Sequence, residues 1–186
     1  MVRRPSPRDL VAAVDGAAQV RDVAAPGLDV LFCGINPGRW SGAVGHHFAH
    51  PGNRFWKALH LAGFTDRQLE PAEDRLLLRY GLGITNLVNR TTAAAADLGN
   101  DELRKGASSL ERKVRRLRPK AVAFLGMGAF RVAFGRSRIA PGRQPDPLAG
   151  ALVWVVPNPS GLQAAYGLDA LVDQLRSLCE VVRSRG

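Results

Sequence analysis

Two short segments of this chain carry residue types and spacings that serve chemistry better than packing. Gly34-Ile35-Asn36-Pro37-Gly38 follows an apolar run. Its two glycines and proline make a tight, stiff turn that leaves backbone N–H groups free to point at a ligand. Asn36, in the middle, has an amide that both donates and accepts hydrogen bonds. The second segment is Pro157-Asn158-Pro159-Ser160-Gly161-Leu162-Gln163. Two prolines stiffen it, and Leu162 follows a glycine at its tip. An apolar side chain there is badly placed for a core and well placed as a wedge between stacked bases. Taken singly, each segment is equally an ordinary Pro/Gly turn with Leu162 folded inward. Other signals are weaker. His46, His47 and His50 cluster without a nearby acidic ligand or a cysteine, so no metal is expected. Gly126-Met127-Gly128 partly mimics a dinucleotide fingerprint, but Arg131 fills the third glycine position.

The elements that would position these loops are legible as apolar runs. Asp29–Cys33, Gly83–Val88, Ala121–Leu125 and Leu152–Val156 read as strands. The last two do not alternate, which suits a parallel sheet covered on both faces. Helical spacing fills the gaps at 54–62, 102–117 and 168–182. A capping box is expected at Thr65-Asp66-Arg67-Gln68, continuing to Gly81. The alternation predicts an α/β domain, a three-layer α/β/α sandwich around a mostly parallel sheet of four to five strands. In such sheets ligands bind beyond the carboxyl ends of the strands. Both loops then fall on one edge.

The chain has 186 residues, enough for one domain with a proper core. Residues 1–26 read as a loose N-terminal arm, and 27–186 as a single domain. No apolar run approaches the ~20 residues that span a bilayer, so no membrane partner is expected. The start, MVRRPSPRDL, lacks an apolar h-region. Two cysteines without a CxxC pattern read as reduced core thiols of a cytoplasmic protein. Lys and Arg number 26 against 16 Asp and Glu, a net charge of +10 with a pI near 10.9. That balance points to a polyanionic partner. Eight basic and three acidic residues fall in 101–120, on a helix whose apolar stripe is intact. The stripe suits a solvated outer face as well as a phosphate contact.

GINPG followed by NPSGL, with Phe48-Ala49-His50-Pro51-Gly52-Asn53-Arg54-Phe55-Trp56-Lys57 and Ala62–Leu69 between them, resembles the mismatch-specific uracil-DNA glycosylases, bacterial relatives of thymine-DNA glycosylase. The similarity covers about residues 25–182. The resemblance implies a DNA glycosylase that flips a base out of the duplex and hydrolyses its N-glycosidic bond. The substrate would be uracil opposite guanine, with thymine or ethenocytosine as further substrates in some members. Asn36 would hold the attacking water. Phe48 would stack on the base, Ile35 and Phe48 N–H groups would bind its carbonyls, and Gly38, Ser41 and Asn158 would shape the pocket. Gly161, Leu162 and Gln163 would form the wedge. Asp97, the only carboxylate between Asp74 and Asp101, is either a cap or an auxiliary base for the water. Neither motif holds a lysine, so a monofunctional enzyme leaving an abasic site is implied, with no cofactor, acting as a monomer on double-stranded DNA. The chain departs from the family pattern in places, among them the bulky Arg39-Trp40 in a segment expected to line the pocket. Asn86 stands where relatives carry lysine, and Gln163-Ala164 where Ser-Arg is expected. The alternative is a catalytically weak DNA-binding or damage-sensing module of the same fold.

Overall fold

A computed structural model describes residues 4–161 and 166–184. Five strands form one sheet in the order β2-β1-β3-β5-β4. They are β1 (Val30–Gly34), β2 (Leu82–Asn86), β3 (Ala121–Leu125), β4 (Gly142–Arg143) and β5 (Leu152–Val156). β2, β1, β3 and β5 are mutually parallel, and the two-residue β4 pairs antiparallel with β5. Every residue of β1, β2 and β3 is buried, as continuous apolar strands between two helical layers require.

Side-chain alternation divides the core in two. Val30 and Phe32 join Leu82, Ile84, Ala123 and Trp154 under α3 (Phe55–Leu61) and α6 (Leu168–Arg183). Phe32 is fully buried and meets Phe55 and Phe64 edge-on at 5.4 and 5.5 Å. Burying one such side chain stabilises by about 1.5–3 kcal/mol. Leu31 and Cys33 face the other way, under α4 (Asn100–Leu117) and α5 (Met127–Ala133). The result is the mixed α/β sandwich that the strand–helix alternation predicts.

Three local features differ from the sequence reading. Thr65 caps nothing, and its Oγ1 is buried without a partner among the described residues. Pro71, with its fixed φ, instead starts a 3₁₀ helix over Pro71–Tyr80. There Glu73 accepts from the Glu70 N–H at 2.9 Å and from the Arg67 guanidinium at 2.7 and 2.9 Å. β4 arises inside a Pro/Gly-rich segment too short in apolar residues to read as a strand. Residues 17–23 of the N-terminal segment follow α1 (Pro7–Asp15) and lie along the open edge of β2. Val23 and Ile84 exchange backbone hydrogen bonds at 2.9 and 2.7 Å. Asp22 then meets Lys113 at 2.5 Å and Thr85 at 2.8 Å, covering an edge that would otherwise offer unpaired groups. No helix among the described residues is long and apolar enough to cross a membrane.

Candidate active site

Because four strands run parallel, the segments after β1, β2, β3 and β5 emerge at one edge of the sheet. The β1 segment brings Asn36 there, half-buried. Its Nδ2 donates to Thr92 Oγ1 at 2.7 Å and to the Arg90 and Pro37 carbonyls, both at 3.1 Å. Carbonyls only accept, and Thr92 Oγ1 already donates to the Ala94 carbonyl at 2.7 Å. These partners fix which end of the amide is nitrogen. Among the described residues no group donates to Asn36 Oδ1. The amide is locked on one side and keeps a carbonyl oxygen for an incoming donor.

The segment after β2 supplies the lock. Thr92 N–H donates to the Pro37 carbonyl at 3.2 Å, while Thr91 donates through both N–H and Oγ1 to the Ala18 carbonyl. Arg90 forks onto Glu102 at 2.7 and 2.8 Å, tying the segment to α4. This guanidinium, assisted by the Gly99 N–H, holds the Glu102 carboxyl down at about 2. Arg90 and Thr92 do not stand out in the sequence. Their only signal is position just past the carboxyl end of a strand.

Phe48 has φ +52° and lies at the carboxyl end of β1. Its ring stacks on Phe55, centroids 4.3 Å apart and planes 32° from parallel. A Cβ on Gly34 would stand 3.2 Å from the Phe48 ring and 2.6 Å from Asn86 Oδ1, so only glycine leaves this floor open. Asn86 is 5% exposed, and its Nδ2 has no partner among the described residues. A buried, unpaired amide beside an aromatic ring is costly unless something else binds it. In the sequence Asn86 stands out only as a departure from the family pattern. The structure gives it a place next to Phe48.

Ser41, in α2 (Arg39–Val44), is buried, and its Oγ accepts from the Ala49 N–H at 3.1 Å, steadying the turn that carries Phe48. Gly38 begins α2 and bridges to Thr92. Ile35 packs over Gly126, which accounts for the glycine after β3 without any nucleotide. Asn158 Oδ1 accepts from the Ser160 N–H at 2.9 Å, closing a tight turn. Asp97 is exposed, and its Oδ2 caps the Ala94 N–H at 2.8 Å in its own short 3₁₀ turn. Gly161 lies against the Gly52 carbonyl. Leu162 and Gln163 lie outside the described residues. Among the described residues no three His, Cys, Asp or Glu gather as a metal site. Cys33, one residue before Gly34, is buried, and that burial pushes its thiol far above the ordinary range.

The fold and site together are those of a parallel-sheet α/β domain with a locked amide, a stacked aromatic pair and two stiff loops on one edge. The family profile of the uracil DNA glycosylase superfamily matches residues 21–179, and the chain belongs to that superfamily. The fold is similar to that of a provisionally assigned uracil DNA glycosylase from Methanosarcina acetivorans, solved by solution NMR. The TM-score is 0.51 at 16% identity, over 87% of this chain and 98% of that one.

Proposed function

We propose that this protein is a monofunctional DNA glycosylase acting on uracil mispaired with guanine. It flips the base, hydrolyses the N-glycosidic bond and leaves an abasic site. The observation that carries the reading is the Asn36 amide, held through Nδ2 by three acceptors with Oδ1 left for a water. An amide is a poor base. It serves a reaction in which the sugar–base bond breaks early, when the sugar cation needs a positioned water more than a deprotonated one. The base departs with the bond's electron pair, the water oxygen then bonds to the carbon of the sugar cation, and the proton that the water sheds goes to solvent or to the departed base anion.

The remaining residues divide the work. Phe48 stacks on the flipped base, backed by Phe55. Backbone N–H groups near Ile35 and Phe48 meet the carbonyl oxygens on which negative charge develops, favouring the transition state. The unpaired Asn86 amide, beside Phe48, is the side chain available to read a pyrimidine edge. Gly38, Ser41 and Asn158 hold the pocket walls. Leu162, flanked by Gly161 and Gln163, fills the vacated stack. A flipped base costs a few kcal/mol, least for a mispair, which supports selectivity for uracil opposite guanine.

The test is uracil release from oligonucleotides carrying G:U, A:U and G:T pairs and from single strands. Strand breakage only after alkali, strongest for G:U, supports the reading. Release from no substrate overturns it in favour of a DNA-binding module.

A further inference from the structure

We propose that Arg54 is a positioning residue that holds both ends of the wedge segment against the base platform. The proposal deepens the glycosylase reading and rests on it for the wedge itself. Residues 162–165 are bracketed by Ser160 and Tyr166, and one guanidinium reaches both brackets. Arg54 Nη2 donates to the Ser160 carbonyl at 3.0 Å, and Nη1 to the Tyr166 carbonyl at 2.6 Å. Its Nε approaches the Pro159 carbonyl at 3.4 Å, and its backbone N–H donates to the same oxygen at 3.0 Å. A guanidinium presents its donors in a fixed planar fork, so it can hold two strands of chain at a set separation. Because it is charged, these bonds are stronger than neutral ones.

The other side of Arg54 is the platform. The next residue is Phe55, fully buried, on which Phe48 stacks. The Asn53 side chain accepts from the Phe55 N–H at 2.9 Å, and the Ala58 N–H donates to the Arg54 carbonyl at 2.9 Å. Arg54 is therefore fixed at the N-cap of α3 before it reaches across. Two residues earlier, the Gly52 carbonyl would stand only 2.6 Å from a Cβ on Gly161, so the two segments touch directly. One side chain thus sets the distance between the ring that takes the base and the loop that replaces it.

Two measurements test this. In the first, backbone amide exchange is followed in the free protein with Arg54→Ala and Arg54→Lys. Both variants should exchange faster in 157–167 by about tenfold or more, with β3 unchanged. Lysine keeps the charge but not the fork, so its failure to protect the segment separates geometry from charge. Unchanged exchange at 157–167, faster exchange spread over β3, or full protection by lysine each overturns the proposal. In the second, Arg54→Ala is measured in single-turnover uracil release from a G:U duplex, alone and combined with Leu162→Ala. Acting through the wedge, it should cost about tenfold alone and less than about twofold in the Leu162→Ala background. An undiminished cost in that background overturns it. If the wild-type protein releases no uracil, the glycosylase reading fails and amide exchange alone decides the role of Arg54.

Discussion

The two motif loops sit on the same edge of the sheet and are held in opposite ways. The Gly34–Gly38 loop is locked through its own side chain. Asn36 supplies the donor; two acceptors, the Arg90 carbonyl and Thr92 Oγ1, come from the adjacent segment after β2, and the third is the Pro37 carbonyl of the loop itself. The Pro157–Gly161 loop closes a small Asx turn of its own but is held from outside, by an arginine in a different layer. Chemistry needs one amide oriented to a fraction of an ångström, which a short local network provides. On the proposed glycosylase reading, a loop that enters and leaves a base stack gains from such an external brace.

The largest expected effect breaks the first half of this contrast. Asn36→Ala should lower single-turnover uracil release by about 10³-fold while binding to G:U duplex survives, because the water loses its acceptor and the DNA contacts do not. A wild-type rate from this variant removes Asn36 from the reaction. Next is Thr92→Val, which keeps the shape and deletes one acceptor of the Asn36 amide. Losing a hydrogen bond of about 1 kcal/mol that orients a reacting group should cost roughly five- to tenfold in rate, with little change in binding. An equal fall for binding and rate would mean that Thr92 supports the fold and not the amide.

The contrast also explains what sequence could and could not disclose. The strands of the parallel sheet were legible because buried parallel strands are continuous apolar runs, and the loops followed from where those runs stop. Asn36 and Phe48 stood out by motif. Thr92 and Arg90 did not, and Arg54, though inside the motif segment, showed no role there, because the roles of these three come from partners 56, 12 and 106 positions away along the chain. No local period marks such a pairing. Thr65-Asp66-Arg67-Gln68 misled for a different reason: a Thr-x-x-Gln pattern resembles a cap wherever it falls, and Pro71, six residues after Thr65, decided where the helix began.

Charge obeys a third logic, apart from both loops. α4 starts after the β2 segment at the site edge and runs back to the start of β3, so Arg115, Arg116 and Arg118 lie at the far end of the sheet. Lys57, exposed in the first turn of α3, lies near the site edge. Lys57→Glu should therefore flatten the dependence of log K on log salt for a short G:U duplex by about one unit for each phosphate no longer neutralised. Arg116→Glu should leave that slope unchanged. The reverse ranking would place DNA along α4 and make the basic helix part of the binding face.

Acid should not disturb the Arg90 brace in the working range. The Glu102 carboxyl lies near 2, below its ordinary 4.5. A depressed carboxyl contributes stability that is present above 4.5 and fades only as pH falls toward 2. Glu102→Gln should thus lower uracil release two- to threefold by the same factor from about pH 5 to 8. A loss confined to the acid side would mean that Glu102 titrates within this range.

Asp97 carries the smallest expectation and the sharpest choice. Its carboxylate is exposed and occupied by the Ala94 N–H, whose carbonyl in turn accepts from Thr92. It therefore borders the Asn36 lock without belonging to it. If it only caps that turn, Asp97→Asn keeps an acceptor oxygen and should change single-turnover release by less than about twofold. A base must lose its proton-accepting strength on the same substitution, so a fall of about tenfold or more would move Asp97 from the cap to the water. The locked amide would then share the reaction with a residue outside the lock.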